Sequence, residues 1–241
     1  MFRSIRAVVT DYDGTLTSTD RLAPEVVASL RALKAKGVKL ILCTGRTLPK
    51  CYGRRGITDR SVIELFDLVV GDSGGIIWNP KTDEVRLLGK PVSPYLLKGL
   101  YDAGITPIEV SQTMVNIRIE GVPAVDRIAA ELNISLGRVR GSSVQYVSPG
   151  ICKSVGMKAA LAMLGINPRN AVAIGDGTND VDMLDRRRNG GALGVTVANG
   201  VPEAKRVADL VMKGRDGTGF SEMAAAVIRG QLGPDQHSLA A

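Results

Sequence analysis

The stretch VVTDYDGTLT, residues 8–17, constrains the fold of this chain more than any other. A β-branched apolar run ends at Thr10 and gives way at once to Asp11, Asp13 and Gly14. A short apolar run bounded by turn residues reads as a buried strand. Two other runs end in the same manner. Residues 38–43 (VKLILC) lead into Thr44, Gly45 and Arg46, and residues 171–174 (AVAI) lead into GDGTND. Amphipathic segments lie between. Residues 24–36 carry proline in the first turn, apolar residues at helical spacing and Gly37 past the end, which predicts a helix. Residues 66–70 (FDLVV) predict a third strand. Strand, helix, strand in this order predicts a parallel sheet with helices on its faces.

The rhythm changes after residue 74. Strands are expected at 74–78, 85–88, 115–120 and 144–147, with helices at 94–103 and 123–132. Residues 116–120 (NIRIE) alternate as in a sheet with one open face. From 153 the α/β rhythm resumes: a helix at 154–164, the strand at 171–174, a short helix from 179, a strand at 193–197 and a helix at 220–228. The expected organisation is an α/β core over 1–76 and 150–229. An α+β insert occupies 77–149, and the tail 230–241 is expected to fray.

Composition narrows the function. No apolar run approaches the roughly 18 residues of a membrane span. The apolar run near the start is too short for a signal peptide. Cys43, Cys51 and Cys152 form no CxxC pair, so free thiols and a cytoplasmic protein are expected. The net charge of +7 invites a nucleic-acid partner. Against that, the chain has nine aromatic residues, and its basic clusters at 54–55 and 186–188 are short, so no nucleic-acid partner is expected. The sole histidine, His237, lies in the tail, which removes a Ser-His-Asp triad and a histidine-rich zinc site. No cysteine has an arginine six residues on, so a cysteine phosphatase loop is absent too.

Sites in open parallel sheets form at the carboxyl ends of the strands. There the topology gathers Asp11, Asp13, Asp176 and Asp180 from two strands, and Thr44 from a third. Asp11 and Asp13, two apart at a strand end, are expected on the same side. Two unit charges 4 Å apart repel by about 4 kcal/mol at an effective dielectric of 20, so such a cluster calls for a cation. Oxygen ligands with no placed histidine or thiolate favour a hard ion, and Mg²⁺ suits best. In DxDG the glycine stands fourth, whereas a calcium loop of the EF-hand type needs it sixth. A carboxylate can act as nucleophile towards phosphorus, and Asp11 is the candidate, with Asp13 as acid and base. Thr44 can donate to a phosphate oxygen, and Lys153 can supply positive charge at a helix start.

These residues together resemble the haloacid dehalogenase superfamily of phosphatases, in the branch with a C2-type cap (Cof-like, sugar-phosphate and phosphoglycolate phosphatases). DYDGTL, Thr44 in CTGRT, Lys153 and GDGTNDVDML match its four motifs in order. The resemblance implies a Rossmann-like core with an inserted α+β cap and a Mg²⁺-dependent phosphatase acting on a small phosphate ester. It implies Asp11, Asp13, Asp176 and Asp180 as the metal set, Asp13 through its backbone carbonyl. Asn179 supports the metal shell, Gly45 and Arg46 accompany Thr44 at the phosphate, and Asn199 of ANGVPEAKRVADLV lies near it. One stretch departs from the family: GDSGG, residues 71–75, stands where Glu-Asn-Gly is usual. In the insert, Asn116 and Arg118 are the residues to watch, although both read more readily as ordinary sheet residues. A phosphomutase, and a non-catalytic binding protein on the same fold, are the rival readings.

Overall fold

In the computed structural model the described residues are 5–19, 21–48, 63–141 and 143–232. The basic pair at 54–55, Cys51, His237 and most of the expected tail lie outside them.

The first strand, β1 (Ala7–Thr10), lies at the centre of an eight-stranded sheet. On one side of it run β2 (Lys39–Cys43), β3 (Leu68–Gly71), β4 (Ile76–Trp78) and β5 (Val85–Leu87). On the other run β10 (Ala171–Gly175), β11 (Leu193–Thr196) and β12 (Leu210–Val211). The strands from β12 to β3 are parallel, and β4 and β5 close the edge antiparallel.

Alternation along the strands splits the core into two faces. Val8, Leu40, Leu42, Val172 and Ile174 pack against helices α1 (Pro24–Ala35) and α7 (Asp216–Ile228). Ala7, Val9, Ile41, Ala171 and Ala173 pack on the other face. Their partners there are α4 (Lys153–Met163), α5 (Val181–Leu184) and α6 (Pro202–Val207). Strands covered on both faces need continuous apolar runs, which is what β1, β2 and β10 have.

A second sheet is antiparallel, in the order β6 (Glu109–Val110), β7 (Val115–Ile117), β9 (Val144–Val147), β8 (Gly137–Arg140). One face, with Val115, Ile117, Val144 and Tyr146, packs on α2 (Pro94–Asp102) and α3 (Val122–Glu131). The other face turns towards the core.

Two expectations change here. The strands at 76–78 and 85–87, assigned above to the insert, pair with the large sheet. They form a hairpin whose loop is tied by Trp78 Nε1 donating to Asp83 Oδ1 at 2.9 Å. Local alternation predicts a strand but not which sheet receives it. The open face of the insert is also not open to water: Asn116 is 1% exposed.

Candidate active site

Asp11 follows β1 directly, and its amide donates to Ile174 O on β10. Its carboxylate is buried, and Oδ1 accepts a hydrogen bond from Lys153 Nζ at 2.7 Å. The same ammonium donates to Asp180 Oδ1 at 2.6 Å. Lys153 is the first residue of α4 and is wholly buried. Burial alone would lower its pKa, but Asp11 and Asp180 outweigh that and raise it, so the ammonium stays charged. Burial, then Asp180, push the Asp11 carboxyl well above its ordinary value, with Lys153 pulling the other way.

Asp176 follows β10 directly. Thr15 Oγ1 donates to its Oδ1 at 2.9 Å. Burial and the Asp180 charge push it up to about 6. Gly14 makes this approach possible. Its φ is +76°, and a Cβ there would lie 2.3 Å from Asp176 Oδ2. Asp180 Oδ2 accepts from the amides of Asp176 and Gly177, at 3.1 and 2.9 Å, and so shapes the loop that carries its neighbour.

Asp11, Asp176 and Asp180 each offer a carboxylate oxygen within 4.8 Å of the others. Three negative groups therefore face one ammonium. Oxygen donors with this charge surplus fit a hard divalent cation.

Asp13 stands apart from that trio. β1 stops at Thr10 and the chain turns at Gly14, so Asp13 faces the same pocket as Asp11 but from nearer the solvent. The carboxylate is exposed and gripped by Arg46, Nε to Oδ2 at 2.8 Å and Nη2 to Oδ1 at 2.5 Å. The Arg46 guanidinium also lies over the Tyr12 ring. Thr44 is fully buried, and its hydroxyl accepts the Arg46 amide, fixing the turn after β2. Asn199 does not reach the pocket. Its Nδ2 donates to Gly14 O at 2.8 Å and its Oδ1 accepts from Asp216 N at 2.7 Å, so it braces the loop after β1. Arg118 is exposed and away from the pocket, whereas Asn116 lines it.

The pocket holds about 210 Å³. Asp11, Asp13, Gly45, Arg46, Asp176 and Asn179 form its floor. The second sheet forms its roof. Gln145 on β9 donates to Gly45 O at 3.0 Å and accepts from Ser73 Oγ at 2.5 Å. Glu109 on β6 accepts from Thr47 Oγ1 at 2.7 Å.

Beside the pocket, the stretch GDSGG supplies a buried tie that the sequence did not reveal. Asp72 Oδ2 accepts from Ser111 Oγ and Thr113 Oγ1, at 2.5 and 2.6 Å. Burial raises its pKa, and those two hydroxyls oppose the shift. Asp72, Ser73 and Gly74 all have positive φ, and a Cβ on Gly74 would meet Cys152 O at 2.1 Å. Only the glycine at 74 and the departure from the family pattern hinted at this.

The model of the haloacid dehalogenase-like hydrolase family matches residues 8–84 and 120–223. The chain belongs to that family. It is an enzyme, a hydrolase of the phosphatase type. A phosphoglycolate phosphatase of Methanopyrus kandleri is 30% identical over 227 residues, covering 89% of this chain and 93% of its own. One from Methanothermobacter thermautotrophicus is also 30% identical, with 90% and 96% covered. Among solved structures, a haloacid dehalogenase-like hydrolase from Bacteroides thetaiotaomicron superimposes with a TM-score of 0.74. It is 17% identical, with 93% of this chain and 100% of that one covered. That likeness establishes the fold: the core sheet plus a cap. No helix among the described residues is long and apolar enough to cross a membrane.

Proposed function

We propose that this hydrolase removes the phosphoryl group from a small phosphate monoester through an aspartyl-phosphate, with Mg²⁺ at the carboxylate cluster. The observation that carries the reading is Asp11, buried and bonded to Lys153, with Asp176 and Asp180 in reach of a shared ion. Held by Asp11 and Asp176, Mg²⁺ would neutralise charge on the phosphoryl oxygens. Asp180, already bonded to Lys153 and two amides, positions the others.

Asp11 attacks phosphorus as the bond to the leaving oxygen breaks. Asp13, placed at the pocket edge by Arg46, gives a proton to that oxygen. Asp13 then takes a proton from water, which cleaves the aspartyl-phosphate and frees Asp11. Lys153 keeps Asp11 oriented and balances charge. Thr44, Gly45 and Asn179 build the phosphate cradle, and most of the rate comes from positioning and charge neutralisation.

The second sheet with α2 and α3 acts as the cap. The pocket falls below the 300–1,000 Å³ usual for drug-sized ligands, which favours a compact metabolite. The curated relatives put phosphoglycolate among the first compounds to try, with small sugar phosphates beside it. Free thiols at Cys43 and Cys152 accord with a cytoplasmic enzyme.

The test is phosphate release from a panel of phosphorylated metabolites, with Mg²⁺ and with EDTA. We expect turnover that EDTA abolishes and Mg²⁺ restores. Turnover indifferent to EDTA would overturn the metal assignment. Transfer of phosphate to a sugar without release would favour a mutase, and no turnover at all would favour a binding protein.

A further inference from the structure

We infer that Asn116 selects the substrate by recognising a hydroxyl on its leaving group; this rests on the phosphatase reading above. Glu109, Asn116, Gln145 and Val139 are direct cross-strand neighbours. They form one row across all four strands of the second sheet, and all four line the pocket. The residues flanking Asn116 in its own strand, Val115 and Ile117, point the other way into the apolar cluster under α2 and α3.

Two polar members of the row are committed to the core. Glu109 is bonded to Thr47, and Gln145 to Gly45 and Ser73. Asn116 sits between them with nothing equivalent. Its side chain is buried, and Oδ1 is among the three buried side-chain atoms of the described residues that lack a hydrogen-bond partner. Its strand is paired on both sides, so the backbone cannot shift to relieve this. A buried amide oxygen left unpaired is costly, and a substrate donor that pairs with it gains that cost back as affinity. A hydroxyl both donates and accepts, so it pairs with either end of the amide. The row therefore has docking contacts on either side and a reader in the middle.

The experiment compares two esters with the same number of heavy atoms, 2-hydroxyethyl phosphate and n-propyl phosphate, in Mg²⁺ buffer. For the wild type we expect kcat/KM to favour the hydroxyl ester by roughly tenfold or more. Asn116→Leu should bring the ratio to within about threefold of unity, and Asn116→Asp, which still accepts a hydrogen bond, should retain it. Each ratio is taken within one preparation, so partial unfolding of a variant cancels. If leucine does not fit, Asn116→Ala gives the same reading.

Equal rates for the two esters in the wild type, or a preference that survives Asn116→Leu, would overturn the inference. So would a wild-type preference for 2-phosphoglycolate over the hydroxyl ester that Asn116→Asp alone destroys, since the group read would then be a carboxylate. Hydrolysis of p-nitrophenyl phosphate with none of the three small esters would overturn the inference alone. No hydrolysis of any ester would sink the phosphatase reading beneath it.

Discussion

The pocket floor rests on three carboxylates gathered beside one buried ammonium, whereas its roof is a row of two neutral amides, one carboxylate and a valine. The floor comes from strand ends of a parallel sheet, where chain turns crowd charge together. The roof comes from the middle of antiparallel strands, where side chains stand in register and charge is sparse. Floor residues are suited to bond making, and roof residues to discrimination. Phosphoryl transfer needs strong fields at fixed positions, while recognition needs unpaired hydrogen-bonding groups that only the right substrate satisfies.

Variants of the floor should therefore abolish turnover of every ester, and variants of the roof should change preference among esters. The largest effect belongs to Asp11→Asn. We expect phosphate release to fall by at least about 10³-fold with the melting temperature kept. Turnover near wild type would break the contrast at its root.

Lys153→Met comes next. It leaves Asp11 and Asp180 buried without their cation, which costs roughly 3–5 kcal/mol. Denaturant melts in magnesium-free buffer should show it, and an unchanged midpoint would mean the ammonium is not what holds the cluster.

Metal addition should have a smaller effect on stability. Ligand at 100 times its Kd adds about 2.7 kcal/mol to the folded state. Wild-type melting should rise accordingly with Mg²⁺, and Asp176→Asn should lose most of the rise. A full rise in that variant would move the ion elsewhere.

The smallest effect concerns Asp72, which ties floor to roof. Its pKa is raised in the fold, so its contribution to stability is complete below the ordinary carboxylate value and is lost as pH rises through the raised one. An amide side chain at this position would stay neutral, and asparagine tolerates the positive φ. Asp72→Asn should thus melt higher than wild type at pH 8, by about 2–4 °C, with the gap closing towards pH 4. A gap that widens on acidification would reverse the assignment.

The floor was legible in sequence because its residues follow strand ends in contiguous runs. DYDG, TGR and GDGTND each carry their turn glycines with them, and the turn and the site are one local signal. Lys153 was legible as a cation at a helix start, and its place in the family pattern gave that weak signal its weight. Asp13 was read as sharing the pocket with Asp11, and it does, although Arg46 holds its exposed carboxylate apart from the buried trio. Asn199 was placed by resemblance near the phosphate, and the structure spends both ends of its amide on backbone.

By itself the sequence determined the parallel core, the order of its elements and the acidic floor, since these follow from apolar run length, helical spacing and local turn chemistry. Tertiary structure alone decided that β4 and β5 join the large sheet, that Asp72 pairs with Ser111 and Thr113, and that Asn116 meets the pocket between Glu109 and Gln145. Some of those partners lie close in sequence, as β3 and β4 or Glu109 and Asn116 do, and others far apart, as Asp72 and Ser111 do. Cross-strand register and the docking of one sheet on another bring them together, and neither leaves a periodic mark in the residues it joins.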